Sequence, residues 1–212
     1  MPADFPLNLS AEYVAKEQPS ALLGEIKNYI LAAQPVALIH PHGFFIVLLR
    51  RDGQEDWRFH VWPRGKRQMT GMPGLIHTHD KVVDSRILKG QLSNSNYSVK
   101  TVEQGGFPVY DVTYIGDRYI ATATNVLVRT NARVAPEVVD RRDLHPGESY
   151  RVDAHVFHQA EVTEAELTCT LVRMHSQSLG VIKVLGLDGY PAQIDFLRRQ
   201  RSGADVVNLA EI

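Results

Sequence analysis

The chain has 212 residues, of which 44% are hydrophobic and 22% charged, and its formal net charge at pH 7 is −1. This length suits one decorated domain or two small ones, and the near-zero charge predicts no binding to nucleic acid or to an anionic membrane. The first residues lack the features of a signal peptide, and no apolar run approaches the ~20 residues that span a bilayer. Cys169 is the only cysteine, which excludes an internal disulfide and a thiolate metal cage. We therefore expect a cytoplasmic protein.

The first predicted elements are helices. Ser10 precedes a short helical segment, and Pro19 marks the start of a second one, in which apolar residues recur at helical spacing. Gln34-Pro35 ends the second helix, because proline biases the preceding residue away from the helical region. Residues 1–35 are thus predicted to form an N-terminal helical extension.

After Pro35 the pattern changes to short apolar runs separated by turn residues such as Gly53. Many short strands at roughly regular spacing favour a sandwich or barrel over parallel βαβ units. The predicted strands are Val36–His40, Phe44–Leu49, Trp57–Trp62, Val82–Leu88, Tyr97–Val102, Val109–Tyr114, Tyr119–Thr124, Tyr150–Val152, Val156–Val162, Leu167–Met174 and Val181–Leu185.

Two other segments are predicted to lie outside the strands. The residues around Pro136 are interpreted as a loop. Pro191 to Arg201 is predicted to form a closing helix with Ile194 and Leu197 on one face, and the residues from Ser202 onward are expected to form a loosely attached tail.

The histidines indicate a metal site. His77 and His79 are two residues apart in an extended segment, so their side chains point to the same face and can converge on one point. A third imidazole from a distant strand would complete a facial set for a divalent metal, with open positions left. His155 and His158 are candidates, and at most one of them joins the site because residues three apart on a strand face opposite sides. His40, His42 and His60 are on strand ends and could reach the mouth of a barrel, but core or surface roles are expected for each taken singly.

One alternative for His77 and His79 is that they are exposed strand histidines with no shared role. The residues around the two histidines argue against this alternative. Gly74, the His-x-His pair, Asp84 and Gly90 together resemble the first motif of the cupin family. That family normally has glutamate at the acid position and one more residue before the last glycine.

The second cupin motif has a counterpart further along the chain. The run from Pro146-Gly147 to His158 resembles it, since a Pro-Gly turn there leads into a strand that ends near a metal-binding histidine. The resemblance implies an all-β fold, the cupin double-stranded β-helix or jelly-roll barrel, over residues 36–190, with N-terminal helices and a short C-terminal helix and tail over 191–212, in one structural domain. It also implies His158 as the third metal ligand beside His77 and His79.

Within the cupins, the runs Val61-Trp62, Ile76–Asp80 and Lys89–Leu92 resemble the cysteine dioxygenase group of thiol dioxygenases. The resemblance implies a non-heme iron dioxygenase that holds Fe(II) with three histidines and takes a small-molecule substrate and dioxygen. Zinc, nickel and manganese remain alternatives, because the ligand type alone does not choose the metal. Some members carry a cysteine cross-linked to tyrosine near the position of Asp84, and this chain cannot form that cross-link.

The chain also departs from that group at substrate-binding positions. The strand Phe44–Val47 has no basic residue where the group places the arginine that binds the substrate carboxylate, and Thr168–Met174 lacks the group's Ser-His-Tyr arrangement. Free cysteine is therefore expected to be a poor substrate, and an apolar or differently anchored substrate is expected instead. Arg58, Arg86 or Arg173 could still supply the cation from another strand.

Two other functions stay open. A cupin isomerase or hydrolase would use a divalent metal as a Lewis acid, with Asp84 as a fourth ligand. A non-catalytic small-molecule-binding cupin would keep the barrel and lose the chemistry. Gln159, Asp80 and Tyr114 are candidates to orient the ligand histidines through their second ring nitrogens. The sequence also leaves open whether the protein is a homodimer.

Overall fold

Two antiparallel sheets and three helices form the part of the chain that the computed structural model describes, residues 9–53, 55–69, 71–116 and 124–209. The helices are α1 (Ala11–Lys16), α2 (Pro19–Ala33) and α3 (Gly203–Leu209). The strands are β1 (Val36–Ile39), β2 (Phe45–Asp52), β3 (Glu55–Trp62), β4 (Val82–Lys89), β5 (Leu92–Thr101), β6 (Phe107–Ile115), β7 (Thr124–Leu144), β8 (Ser149–Val152), β9 (Phe157–Val162), β10 (Thr168–His175), β11 (Ile182–Leu185), β12 (Gln193–Leu197) and β13 (Gln200–Ser202).

The N-terminal helices begin and end where the sequence predicts. The Ser10 hydroxyl accepts a hydrogen bond from the backbone N–H of Tyr13 and so caps α1. Pro19 occupies the first turn of α2, where its missing N–H costs nothing, and Gln34 ends that helix in the left-handed conformation. None of the described helices is long and apolar enough to span a membrane.

The strands form two sheets in which every paired neighbour is antiparallel. The first sheet has the order β13-β1-β2-β3-β10-β4-β8, and the second has the order β11-β6-β7-β5-β9, with β12 also paired to β7. The non-consecutive neighbours are those of a jelly roll, since the chain crosses repeatedly between sheets. The prediction of an all-β jelly-roll fold with few helices is therefore confirmed.

Two apolar layers hold the fold together. All three helices cover the outer face of the first sheet, where Ile26 and Val206 pack in one buried cluster with Phe59 and Leu171. A second cluster, which includes Val172 and other residues of β4, β5, β8 and β10, fills the space on the inner face. Burial of this apolar surface is the main stabilising term.

The segment 76–79 links the two edges of the second sheet. His77 exchanges backbone hydrogen bonds with His158 on β9, with N···O distances of 3.0 and 2.9 Å. On the other side, the backbone N–H of Thr78 donates to Lys183 on β11 (2.9 Å), and that of Leu185 donates to Ile76 (2.8 Å). The segment is thus extended, as predicted, and lies between two strands from distant parts of the sequence.

The predicted loop around Pro136 is wrong, because this region belongs to the 21-residue strand β7. Residues 124–134 of β7 pair with β6, whereas residues 134–144 pair with β5. Pro136 lies in the second part, away from β6, and a strand tolerates proline where one edge is unpaired. The predicted strand Tyr119–Thr124 lies outside the described residues except for Thr124.

The predicted C-terminal helix over Pro191 to Arg201 is also wrong. Ile194 and Phe196 alternate with exposed residues on β12, a period of two that outweighs the apparent helical spacing of Ile194 and Leu197. Nor is the tail loosely attached, since β13 pairs with β1 and α3 buries Val206 and Val207. The C-terminal helix exists, but it is α3.

Candidate metal centre

The side chains of three histidines converge inside the fold. Each of His77, His79 and His158 offers one ring nitrogen, and these nitrogens all lie within 4.8 Å of one another. The Nε2 atoms of His79 and His158 are 3.0 Å apart. The structure therefore brings together the three residues that the sequence singles out, and they could bind a metal ion. That they do so stays a prediction.

The backbone explains why these side chains meet. His77 and His158 lie opposite each other in an antiparallel bridge, so their side chains leave the backbone on the same side. Gly74 lets the segment approach β11 closely, because a Cβ at this position would overlap the carbonyl oxygen of Leu185. The first glycine of the cupin-like motif therefore has a steric function beside the converging histidines.

Two hydrogen bonds orient the imidazoles. Nδ1 of His77 lies 2.8 Å from the carbonyl oxygen of Leu75, and Nδ1 of His158 lies 2.9 Å from Oδ1 of Asn94. Both partners are acceptors, so each Nδ1 carries the proton and each Nε2 presents its lone pair. This is the arrangement in which an imidazole binds a metal through Nε2.

The predicted orienting residues do not supply these two bonds. Gln159 accepts from Tyr97, Asp80 accepts from Gln177, and Tyr114 lies beside the guanidinium of Arg198. Asn94 was missed because it is on β5, which pairs with β9 only in the folded chain. A signal was present, since an amide at an inward position of a strand is unusual unless it has a partner.

Burial keeps these histidines neutral. It lowers the pKa of His77 to about 4 and lowers the pKa of both His79 and His158 well below 6.5. For His79 and His158 the neighbouring imidazoles lower the pKa further, because two cations in contact repel each other. The neutral imidazole is the form that binds metals, so the site is ready for a cation at pH 7.

Asp84 does not belong to this centre. It lies on β4 between Val83, which lines the metal-site cavity, and Ser85, so its side chain points to the opposite face. Its Oδ2 is 2.7 Å from Nε2 of His175, and its Oδ1 is 3.7 Å from Arg151. The hypothesis that Asp84 is a fourth ligand is therefore wrong.

His155 is absent from the converging group, but for a different reason than strand alternation. It lies in a turn before β9 with φ of +63°, so the argument that it shares a strand with His158 is wrong. Its backbone N–H donates to the carbonyl of His79 (2.8 Å). Its ring packs against Gly180, where a Cβ would come within 2.7 Å of the imidazole.

The expectation of core or surface roles for His40, His42 and His60 is incomplete, because all three line the same cavity as the converging histidines. The rings of His42 and His77 are 4.6 Å apart, and His60 contacts Phe44 at 5.0 Å. Burial lowers the pKa of all three well below 6.5. Six neutral histidines therefore line one cavity among the described residues.

The cavity also contains two arginines. Arg58 on β3 and Arg67 in the following loop both line it, and none of the described lining residues is acidic. Asp56 lies near Arg58 (3.3 Å), but it also contacts Lys81 (3.0 Å) and Arg51 (3.4 Å). The described lining thus contains two basic residues beside its apolar ones, and the expectation of an apolar or differently anchored substrate stays a prediction.

The other two candidate arginines point elsewhere. Arg86 donates to the backbone carbonyls of Val14 and Glu17, on the helical side of the first sheet. Arg173 forms a salt bridge with Glu55 at 2.6 Å. Of the three arginines considered from the sequence, Arg58 alone lies at the cavity.

A wider cleft lies next to the cavity. The inner cavity has a volume of about 60 Å³, and it shares Phe44, Trp62, Arg67 and Leu75 with an outer cleft of about 500 Å³. The charged residues that line the outer cleft are mostly basic: Arg64, Lys66, Arg67, Arg199 and Arg201, against Glu161 and Glu164. The outer cleft is therefore mostly basic.

No protein-family model and no curated protein matches the chain. Similar solved structures include the DMSP lyases RdDddP and RnDddQII, at 13% identity and a TM-score of 0.38 over 68% of this chain. The chain spans 53% of that protein's length.

KdgF from Halomonas sp. is 11% identical, with a TM-score of 0.35 over 64% of this chain and 82% of its own. A cupin 2 conserved barrel domain protein from Rhodopseudomonas palustris is 12% identical, with a TM-score of 0.38 over 74% of this chain and 80% of its own. Similarities of this size assign neither a family nor a function.

Proposed function

We propose that the chain is a cupin metalloenzyme in which His77, His79 and His158 hold Fe(II), and that it oxidises a small organic substrate with dioxygen. The observation that supports this proposal most directly is the convergence of three neutral imidazoles. The motifs around them resemble those of the thiol dioxygenases. When bound, the metal would supply open coordination positions and a path for electrons between the substrate and dioxygen.

The chain's own residues prepare the site in two ways. The Leu75 carbonyl and Asn94 hold two of the imidazoles in the tautomer that presents Nε2. Apolar side chains, among them Phe44, Trp62 and Met174, also line the inner cavity, and an apolar lining lowers the local dielectric constant, which strengthens charge interactions with a substrate.

The substrate class that we propose is a small organic anion that carries a carboxylate. Arg58 and Arg67 both line the cavity, Arg58 with the Asp56 carboxylate at 3.3 Å, and arginine binds carboxylates through two parallel hydrogen bonds. The basic outer cleft favours the approach of an anion. We keep the proposal that free cysteine is a poor substrate, since the anchoring cations come from β3 and the next loop and not from β2.

Metal content and oxygen uptake test this function. Freshly purified protein is analysed for metals, and the iron-loaded protein is then given a panel of thiol and enolisable carboxylates. Each acid is paired with its uncharged methyl ester. Oxygen uptake with an acid but not with its ester supports both parts of the proposal. Equal uptake with acid and ester contradicts the arginine-anchored anion.

Matched arginine variants sharpen the test. Arg58→Met should raise KM for the active acid at least tenfold, because a buried carboxylate without its cation is costly. Arg173→Met is the control, since Arg173 is paired with Glu55 outside the cavity. Equal effects of the two changes would contradict a role of Arg58 in substrate binding.

A second candidate is an isomerase or hydrolase that uses a divalent metal as a Lewis acid. The neutral, buried imidazole of His60 in the same cavity favours it, because such a group suits proton transfer. Conversion of a substrate without oxygen consumption would support this candidate over the dioxygenase. Binding without any conversion would instead support a non-catalytic binding protein.

A further inference from the structure

His42 lies in the turn between β1 and β2, yet its side chain is 3% exposed. The turn is held by hydrogen bonds from the backbone N–H of His40 to Phe44 (2.7 Å) and from that of His42 to Nδ1 of His40 (3.2 Å). Gly43 has φ of +80°, and a Cβ there would lie 2.9 Å from the backbone oxygen of Gln68. The position of His42 in the cavity is therefore set by its backbone.

One nitrogen of the His42 imidazole is buried without a partner. Its Nε2 has no hydrogen-bond partner among the described residues. A buried polar atom without a partner is costly and calls for an explanation.

The spacing of His42 also matches that of the ligands. Its ring centroid is 4.6 Å from that of His77. Within the group of three, the centroids are 4.7 to 5.0 Å apart.

These observations extend the proposed metal site, on which they rest: we propose that His42 is a fourth imidazole ligand of the metal. It would take a position that Asp84 does not fill, since that carboxylate points away from the cavity. The nitrogens within 4.8 Å of one another belong to His77, His79 and His158, so ligation by His42 requires its ring to turn about its side-chain torsions.

A set of four neutral imidazoles has a consequence for the substrate. It leaves the full positive charge of the metal uncompensated, whereas a carboxylate ligand would cancel part of it. An octahedral metal would keep two open positions. The site would therefore bind an anionic substrate more strongly than a site with three histidines and a carboxylate.

Zinc is the probe for the test, because it binds imidazole without redox chemistry. The affinity for Zn²⁺ is measured by chelator competition for the wild type, His42→Ala, His42→Gln and His60→Ala. Zinc K-edge X-ray absorption then counts the imidazoles around the metal. His60→Ala is the matched control, since His60 lines the same cavity and also has a buried, unpartnered Nε2, but its ring contacts Phe44 and Trp62.

The expected result is four imidazoles in the wild type and three in both His42 variants. Their zinc affinity should fall roughly tenfold or more, since even an outer partner of a ligand contributes that much. His60→Ala should keep four imidazoles and the wild-type affinity. Circular dichroism of the metal-free variants checks that they fold, and His42→Gln keeps the volume of the side chain if His42→Ala does not fold.

Three imidazoles in the wild type, or unchanged affinity in both His42 variants, would overturn the fourth ligand and leave the metal site of His77, His79 and His158 intact. An equal loss of affinity in His60→Ala would also overturn it. A wild-type protein that binds no stoichiometric zinc would overturn the proposed metal centre itself. The two failures are therefore distinguishable.

Discussion

Replacement of Asn94 by alanine is the sharpest test of how the fold prepares the metal centre. Oδ1 of Asn94 accepts a hydrogen bond from Nδ1 of His158 at 2.9 Å. The two side chains are 1% and 3% exposed, so water cannot replace the lost partner. In Asn94→Ala the Nδ1–H of His158 is left buried and unpaired.

Two effects should follow, and they have separate magnitudes. An unpaired buried donor costs about 1–3 kcal/mol of folding free energy. For a chain of this length that corresponds to a fall in Tm of roughly 2–12 °C. Loss of the bond also frees the tautomer and the orientation of His158, which should lower metal affinity by about 10- to 100-fold.

The assay combines thermal unfolding of the metal-free protein with chelator competition for zinc. Asn94→Asp should retain or increase the affinity, because a carboxylate accepts a stronger hydrogen bond from the imidazole. Asn96→Ala is the comparison, since Asn96 lies opposite His158 in the pairing of β5 with β9 and accepts from the Asn94 amide, whereas the His158 Nδ1 bonds to Asn94. Wild-type zinc affinity in a folded Asn94→Ala protein would refute the reasoning, because His158 would then need no orienting partner.

Three further predictions concern the same centre. His77→Ala and His79→Ala should each strip the bound metal and leave the metal-free fold largely intact, because each removes one of three converging nitrogens; elemental analysis that finds full occupancy in either variant would contradict this. His158→Ala should lose the metal while His155→Ala retains it, and the reverse result would move the third ligand to the turn before β9. The metal-free protein should lose stability as the pH falls from 6.5 towards 4, because burial lowers the pKa values of His77 and His40 so that the unfolded chain binds more protons in this window; denaturant unfolding that gives equal stability at pH 7 and pH 5 would contradict it.

Much of the local structure could be predicted from the sequence, because local patterns report local geometry. The Ser10 cap, the start of α2 at Pro19 and most of the strands follow from short-range signals, and the structure has them where expected. The two-residue spacing of His77 and His79 is of the same kind. It places both side chains on one face without any knowledge of the rest of the fold.

The periodicity of apolar residues also leads to wrong predictions of secondary structure. The sequence does not predict the 21-residue strand through Pro136 or the strand β12. Both contain polar, partly exposed residues, in which the alternation of apolar and polar side chains is weak. Their strand conformation is stabilised by pairing with β5, β6 and each other, which are contacts between distant parts of the chain. Propensity alone could not outweigh those contacts.

The surroundings of the metal centre were decided by tertiary structure alone. Asn94, Arg58 and His42 come from three separate elements, and nothing in their local sequence indicates that they meet near His158. The face of a strand follows from alternation within one segment, so the sequence determines which side chains point inward. Which inward side chains touch depends on the register and order of strands in two sheets, and only the folded chain sets these.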